Sequence, residues 1–233
     1  MHDRGEWASE PRSCIPYVSA DIPRAPADIS SIVSITVSIW HNASNHPERT
    51  RMDFAILYGI QNVLGCPFLD ALMPIVTACG DHGLIWIIAG ILLLIFPKTR
   101  RWGITLLVTL AVTWAICEFG IKNLVARPRP FIADPSFILL IAAPASFSFP
   151  SGHTLSSFLA ATVITRAPIA RGWKVAAWVM AVAIAFSRLY LFVHFPTDVL
   201  AGAIIGTLAG LLGVYVSNRI ASNKSQRARH TDS

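Results

Sequence analysis

The chain has 233 residues, of which 54% are hydrophobic and only 14% charged, and its mean hydropathy is +0.55. Soluble domains carry about 25% charged residues, so a water-exposed globule and a disordered chain are both excluded for the bulk of the sequence. The net charge of +6 does not indicate a nucleic-acid partner, because the ten Lys and Arg between Met52 and Ser217 punctuate apolar runs and do not line a face that could track phosphates. Four cysteines, Cys14, Cys66, Cys79 and Cys117, form no CxxC pair, which argues against a zinc module or a disulfide framework.

Residues 1–51 are rich in Pro, Ser and mixed charge and are expected to form a disordered arm. Their one apolar patch, Ile29 to Trp40, is shorter than the roughly 20 residues that cross a bilayer, and it lacks the pattern of a signal peptide. Met52, where the composition changes, is one candidate start of the functional chain; an ordinary cytosolic arm is the other reading. From Met52 the pattern is that of a membrane protein. Breaks at Gly65, Pro67 and Asp70, and again at Gly80, Asp81, His82 and Gly83, predict a helical hairpin or kinked entry over 54–80 and a span over 80–97. Further spans are expected over 102–124, 154–165 with its flanks, 173–191 and 199–216. The last is rich in small residues (Ala201, Gly202, Gly206, Gly210, Gly213), as suits close helix packing in lipid. The fold expected is therefore all-α, an integral membrane bundle of five to six transmembrane helices over 52–217, with a basic cytoplasmic tail at 218–233.

Basic groups recur at every second loop: Lys98, Arg100 and Arg101; then Arg166, Arg171 and Lys174; then Arg219, Lys224, Arg227 and Arg229. The positive-inside rule puts these on the cytoplasmic side. Loops 125–153 and 188–198 then share the opposite side, and they hold nearly all the unusual polar residues.

Three groups of residues there carry chemistry. The first runs from Lys122 to Pro130, where Pro128 and Pro130 hold Arg127 and Arg129 extended, so that their planar guanidinium groups can be aimed at a phosphate. The second is Pro150-Ser151-Gly152-His153 ahead of an apolar helix. Ser151 suits a helix N-cap, the helix start suits an anion, and His153 stands where it can protonate a leaving oxygen. The third is Ser187-Arg188 followed by His194 and Asp198, four apart, where a carboxylate can fix the tautomer of an imidazole. His194 and Asp198 could also ligate a metal, but no third His, Cys or carboxylate has matching spacing. Ionisable groups at membrane depth are expensive and default to function. Three cations, an anion-binding helix start, two histidines and a carboxylate on one side suit phosphoryl transfer through a histidine nucleophile.

In this order, Lys-x6-Arg-Pro, Pro-Ser-Gly-His and Ser-Arg-x5-His-x3-Asp resemble the three signature motifs of the type 2 phosphatidic acid phosphatase (PAP2) family, which is related to vanadium haloperoxidases. All eleven specified positions match, within residues 52–217. The resemblance implies a metal-independent, cofactor-free membrane phosphatase with a PAP2/haloperoxidase-like helical core. His194 would be its nucleophile, Asp198 the orienting partner and His153 the general acid. Lys122, Arg129 and Arg188 would clamp the phosphate, with Ser151 and Gly152 completing the pocket. It also implies a substrate such as undecaprenyl diphosphate or a phospholipid phosphate, held in a bacterial plasma membrane with the site facing away from the cytoplasm. Glu118, one turn before Lys122, is expected to form an ion pair with it; Arg127 is assigned to lipid headgroups in preference to a second phosphate. Two other readings stand beside this one: a vanadate-dependent haloperoxidase-like enzyme, and a lipid-phosphate binding or transport protein without turnover. The apolar spans oppose the first. The presence of both histidines and Asp198 opposes the second.

Overall fold

A computed structural model describes residues 47–231, and every regular element among them is helical. The arm expected over residues 1–46 lies outside the described residues, and the boundary at 51/52 falls inside the first helix, α1 (Pro47–Leu64). There follow α2 (Pro67–Cys79), a single 3-10 turn (Asp81–Gly83), α3 (Leu84–Ile95) and α4 (Arg100–Ala115). A π-helical turn (Ile116–Ile121) prolongs α4 into α5 (Lys122–Val125), after which come α6 (Pro130–Ala133), α7 (Gly152–Arg166), α8 (Arg171–Tyr190) and α9 (Pro196–Thr231).

Helices start and stop where residue chemistry requires. Pro67, Pro130 and Pro196 occupy first turns, where a missing N–H costs nothing. Ser151 caps α7, its hydroxyl accepting from the backbone N–H of Thr154 at 3.5 Å and from Thr154 Oγ1 at 3.0 Å. Ala126 takes a left-handed conformation (φ 47°) that ends α5 and turns the chain into the two Arg-Pro steps.

Three stretches are long and apolar enough to cross a membrane alone: Arg100–Ala133, Arg171–Tyr190 and Pro196–Asn223. The pair Pro67–Cys79 and Asp81–Ile95, bent by 44°, qualifies together as a fourth. The difference from five or six lies partly in α7, whose 15 residues reach only about 22 Å. It is the inner helix of the bundle, packed against α9, α8 and α4, with Leu159, Ala160, Ala161 and Val163 fully buried. Around it the outward faces are apolar at helical spacing: Ile104, Val108 and Val112 on α4; Val175, Val179 and Val182 on α8; Leu200, Ile204 and Leu208 on α9. Lipid is the solvent these faces suit.

Glycines set how closely α9 approaches α7. A Cβ at Gly202 would lie 2.7 Å from Ser151 O, at Gly206 2.2 Å from Leu155 O, and at Gly210 2.9 Å from Leu159 O. The two backbones are therefore in contact along three turns, as small residues permit in membranes. Because α7 and α9 both begin at the same end of the bundle, this contact fixes Ser151, Gly152 and His153 relative to Asp198. Trp86, Leu106, Leu159, Ile184 and Val214 fill the core, and Trp86 Nε1 donates to Ser157 Oγ at 2.9 Å. At the opposite end Arg101 Nη2 donates to Asn218 Oδ1 at 3.1 Å, so the basic residues opening α4 lie beside the distal part of α9.

Candidate active site

A cavity of about 950 Å3 opens at the end of the bundle where α7 and α9 begin. Lys122, Arg129, Gly152, His153, Arg188 and His194 all line it, so three elements far apart in sequence converge there as expected. One wall is apolar, formed by Leu107, Leu110, Ala111 and Trp114 of α4 with Pro74 and Ile87.

His194 sits between α8 and α9 and is 1% exposed. Its Nε2 lies 3.1 Å from Arg129 Nη1. A guanidinium only donates, so Nε2 must carry the lone pair and Nδ1 the proton. Nδ1 lies 3.4 Å from Ser148 Oγ, and Ser148 in turn donates to Asp198 Oδ2 at 2.5 Å. The direct separation of Nδ1 and Asp198 Oδ2 is 3.8 Å, so Ser148 stands between the two residues that the i,i+4 spacing pairs. Burial, followed by the charges of Arg129 and Arg188, pushes the His194 imidazole well below its ordinary pKa and keeps it neutral near pH 7.

Asp198 is fully buried and triply held. Besides Ser148, its Oδ2 accepts from Phe195 N–H at 3.0 Å, while Oδ1 accepts from Arg127 Nη1 at 2.5 Å. Arg127 also donates to Thr197 Oγ1 at 2.7 Å and to Asp53 Oδ2 on α1 at 2.8 Å, and its guanidinium lies over the Phe195 ring. This corrects the assignment of Arg127 to headgroups: the Pro128 step aims it inward, at the buried carboxylate.

The cations are positioned by the loop before α7. Arg129 Nε donates to Ser146 O at 2.7 Å, and Nη1 to Val193 O at 2.9 Å. Lys122 Nζ donates to Glu118 Oε2 at 2.7 Å, the expected pair, and to Ser146 Oγ at 3.0 Å. Arg188 is 2% exposed and donates through Nη1 to Thr77 Oγ1, while its buried Nε has no partner among the described residues. Ser151 does not line the cavity; its side chain caps α7 and its N–H donates to Asp198 O at 3.1 Å, leaving Gly152 as the member of that pair at the cavity wall. His153 Nε2 lies 2.8 Å from Asp81 Oδ1. Among the described residues no three His, Cys, Asp or Glu side chains gather as a metal would require.

Ser146, Ser148, Asp53, Thr77 and Asp81 are the site residues that reading the sequence misses. For Asp53 and Asp81 a signal existed, since carboxylates bordering apolar helices are costly without a partner.

The sequence profile of the PAP2 superfamily matches residues 102–221. The undecaprenyl-diphosphatase of Sulfolobus acidocaldarius is 35% identical, over 64% of this chain and 71% of the relative. The lipid A 4'-phosphatase of Bacteroides thetaiotaomicron is 30% identical, over 69% and 75% respectively. The crystal structure of a transmembrane PAP2-type phosphatidylglycerolphosphate phosphatase from Bacillus subtilis superposes with a TM-score of 0.62 at 27% identity, covering 82% of this chain and 96% of that one. This chain belongs to the PAP2 superfamily and is an integral membrane lipid phosphatase.

Proposed function

We propose that the cavity hydrolyses a lipid phosphomonoester or diphosphate through a phosphohistidine formed on His194. The observation that carries this is the environment of His194 Nε2. It is a buried lone pair facing the three cations Lys122, Arg129 and Arg188 in one cavity.

Each step follows from a group in place. The guanidinium groups of Arg129 and Arg188 and the ammonium of Lys122 neutralise the phosphoryl oxygens, and charge neutralisation by prearranged donors is the largest lever available for this chemistry. The Gly152 backbone at the start of α7 adds N–H groups that favour an anion. Neutral His194 attacks phosphorus through Nε2; the imidazolium formed is stabilised through Ser148 by Asp198. His153 protonates the departing oxygen, then accepts a proton from the water that cleaves the phosphohistidine. The lipid tail lies along the apolar α4 wall. Within the substrate class we place a polyprenyl diphosphate first, on the strength of the 35% identical relative.

Purified protein in detergent, supplied with undecaprenyl diphosphate, phosphatidate, phosphatidylglycerophosphate and a soluble phosphate ester, should release inorganic phosphate from at least one of the lipids. The rate should be unchanged by EDTA. Activity lost on chelation and restored by a divalent ion, or confined to the soluble ester, would overturn this reading.

We also place the cavity on the extracytoplasmic side, on the loop charges. α8 has 20 residues and spans about 30 Å, with Arg171 at one end and the site at the other. In intact cells carrying otherwise cysteine-free protein, an impermeant thiol reagent should label Ala133→Cys and leave Arg171→Cys unlabelled until lysis. The reverse pattern, or labelling of both, would refute the orientation.

A further inference from the structure

Between α2 and α3 the sequence Gly80-Asp81-His82-Gly83 reads as nothing more than a helix break. In the structure its first two residues lie against His153. Asp81 Oδ1 takes the Nε2 side of that imidazole at 2.8 Å across 72 residues of chain. A Cβ at Gly80 would lie 2.9 Å from His153 Cδ2 and 3.0 Å from Ile184 Cγ2, so any side chain at position 80 would compete with the ring for its place. His82 and Gly83 adopt left-handed backbone, with φ of 52° and 71°. This is a conformation a non-glycine residue enters at a cost, and here it lets the chain turn directly after the carboxylate into α3. The Nε2–Cδ2 edge of the imidazole is thus fixed by the break, and Nδ1 has no hydrogen-bond partner among the described residues.

The charges around the ring give this arrangement its purpose. A general acid must be protonated when the leaving oxygen departs. Burial first, and then the buried guanidinium groups of Arg188 and Arg129, push the pKa of the His153 imidazole down to about 4, with the hydrogen bond and charge of Asp81 acting in the opposite direction. Asp81 is the carboxylate in contact with it. Glu118 also lines the cavity but is already paired with Lys122.

We propose that Asp81, supported by Gly80, is the positioning residue of the general acid: it holds His153 by Nε2 and offsets the two guanidinium charges, so that once the anionic substrate is bound the ring carries its second proton and presents Nδ1–H to the leaving oxygen. The proposal rests on the assignment of His153 as the acid. In the first half-reaction the His194 Nε2 lone pair forms the N–P bond and the P–O bond breaks. Its electron pair stays on the leaving oxygen, which takes the Nδ1 proton and departs as the alcohol from a monoester or as the lipid monophosphate from a diphosphate. In the second, a water gives a proton back to His153 and its oxygen bonds to phosphorus. The P–N pair returns to His194, and inorganic phosphate is released. Asp81 exchanges no atom in either step.

The test uses the full chain in detergent and two soluble probes, an alkyl phosphate and p-nitrophenyl phosphate. The aryl leaving group departs readily as an anion; the alkoxide needs the proton. The quantity compared throughout is kcat/KM, which reads only the steps up to release of the leaving group, before His153 acts on water. Asp81→Asn should lower it on the alkyl ester by about 10²-fold, within the range that general acids contribute, and leave it almost unaffected on the aryl ester. Gly80→Ala, which retains the carboxylate but crowds the ring, should show the same selectivity, and so should His153→Ala with a larger loss. Adding Asp81→Asn to His153→Ala should cost little more, because the two act as a unit. If Asp81→Asn slows both esters equally, or adds in full to a selective His153→Ala, the role of Asp81 is structural and the proposal falls. Faster turnover in Asp81→Asn would show a carboxylate that restrains His153, and would overturn it too. Equal losses on both esters in His153→Ala would remove the acid assignment itself, and the proposal with it.

Discussion

Asp198→Asn should slow turnover by roughly 10³- to 10⁴-fold in a protein that still folds, and His194→Ala should abolish it. The comparable substitution in the serine hydrolase triad costs about 10⁴-fold; the clamp cations, untouched here, account for the lower bound. The reason is a count of donors. Asp198 receives three hydrogens, from Arg127, Ser148 and the Phe195 amide, at 2.5, 2.5 and 3.0 Å. Arg127 and Phe195 N–H can only donate. Asparagine has one acceptor oxygen: with its NH2 at the Oδ1 position it keeps Ser148 but sets a donor against Arg127, and with its NH2 at the Oδ2 position it opposes the Phe195 N–H and reverses the bond to Ser148. In either orientation the negative charge that stabilises the cation formed on His194 is gone, and in the second the tautomer of His194 is no longer fixed. The fold should survive because Arg127 keeps its second carboxylate, Asp53, at 2.8 Å. Rapid quench with labelled substrate should trap an acid-labile, base-stable phosphoenzyme in the wild type and none in His194→Ala. The same adduct in a chain lacking His194 would move the nucleophile elsewhere, with His153 the next candidate.

Arg188→Ala should reduce kcat/KM on a lipid phosphate by about 10³-fold or more, in the range found for an arginine that stabilises a transferring phosphoryl group. Arg188→Lys should recover little of the loss. Arg188 is 2% exposed, and its Nε has no partner among the described residues. A buried donor in that condition costs free energy until an acceptor arrives, and a phosphoryl oxygen is the acceptor the cavity suits. Lysine restores the charge but not the planar fork, and its ammonium cannot bond Thr77 and the phosphate in the same geometry. The measurement is steady-state phosphate release together with inhibition by vanadate, which should weaken in parallel. Near-wild-type catalysis by Arg188→Lys would show that Arg188 contributes charge alone.

What the sequence made legible followed from chemical distinctiveness. Lys122, Arg129, His153, Arg188, His194 and Asp198 are polar residues at fixed spacing among apolar ones, and a cation or imidazole at membrane depth has few structural uses. The helices from 102 onward were legible for the same reason, since basic residues mark one end of each, but the stretch at 154–165 expected to cross is an inner helix too short to do so alone. Ser148 was not: a serine two residues before a Pro-Ser-Gly-His run carries no sign that its hydroxyl will stand between His194 and Asp198. Asp53 gave no sign of its partner, because the ion pair with Arg127 depends on α1 packing its Phe54 and Leu57 against Phe192 and Phe195, a tertiary contact without a local pattern. Asp81 was visible but misread. Its glycine neighbours announce a break in the helix, and a break suffices to explain an aspartate when the histidine it serves is 72 residues away. Arg127 shows the complementary error, for the Pro128 step establishes that the side chain is aimed without saying at what.

Arg100 and Arg101 open α4, and Arg171 and Lys174 open α8, with no acidic residue in either first turn. A helix start carries the positive pole of the peptide dipoles, so each such charge is disfavoured by about 0.3–1 kcal/mol where it is not screened. Arg166, in the last turn of α7, sits at a favourable pole. Helix stability alone would have put aspartate or glutamate at the first two places. Under the proposed orientation the charges instead serve the moment of insertion, when the side on which each loop remains is decided. The folded bundle therefore keeps, at the end remote from its chemistry, a small permanent electrostatic penalty left by the way it entered the membrane.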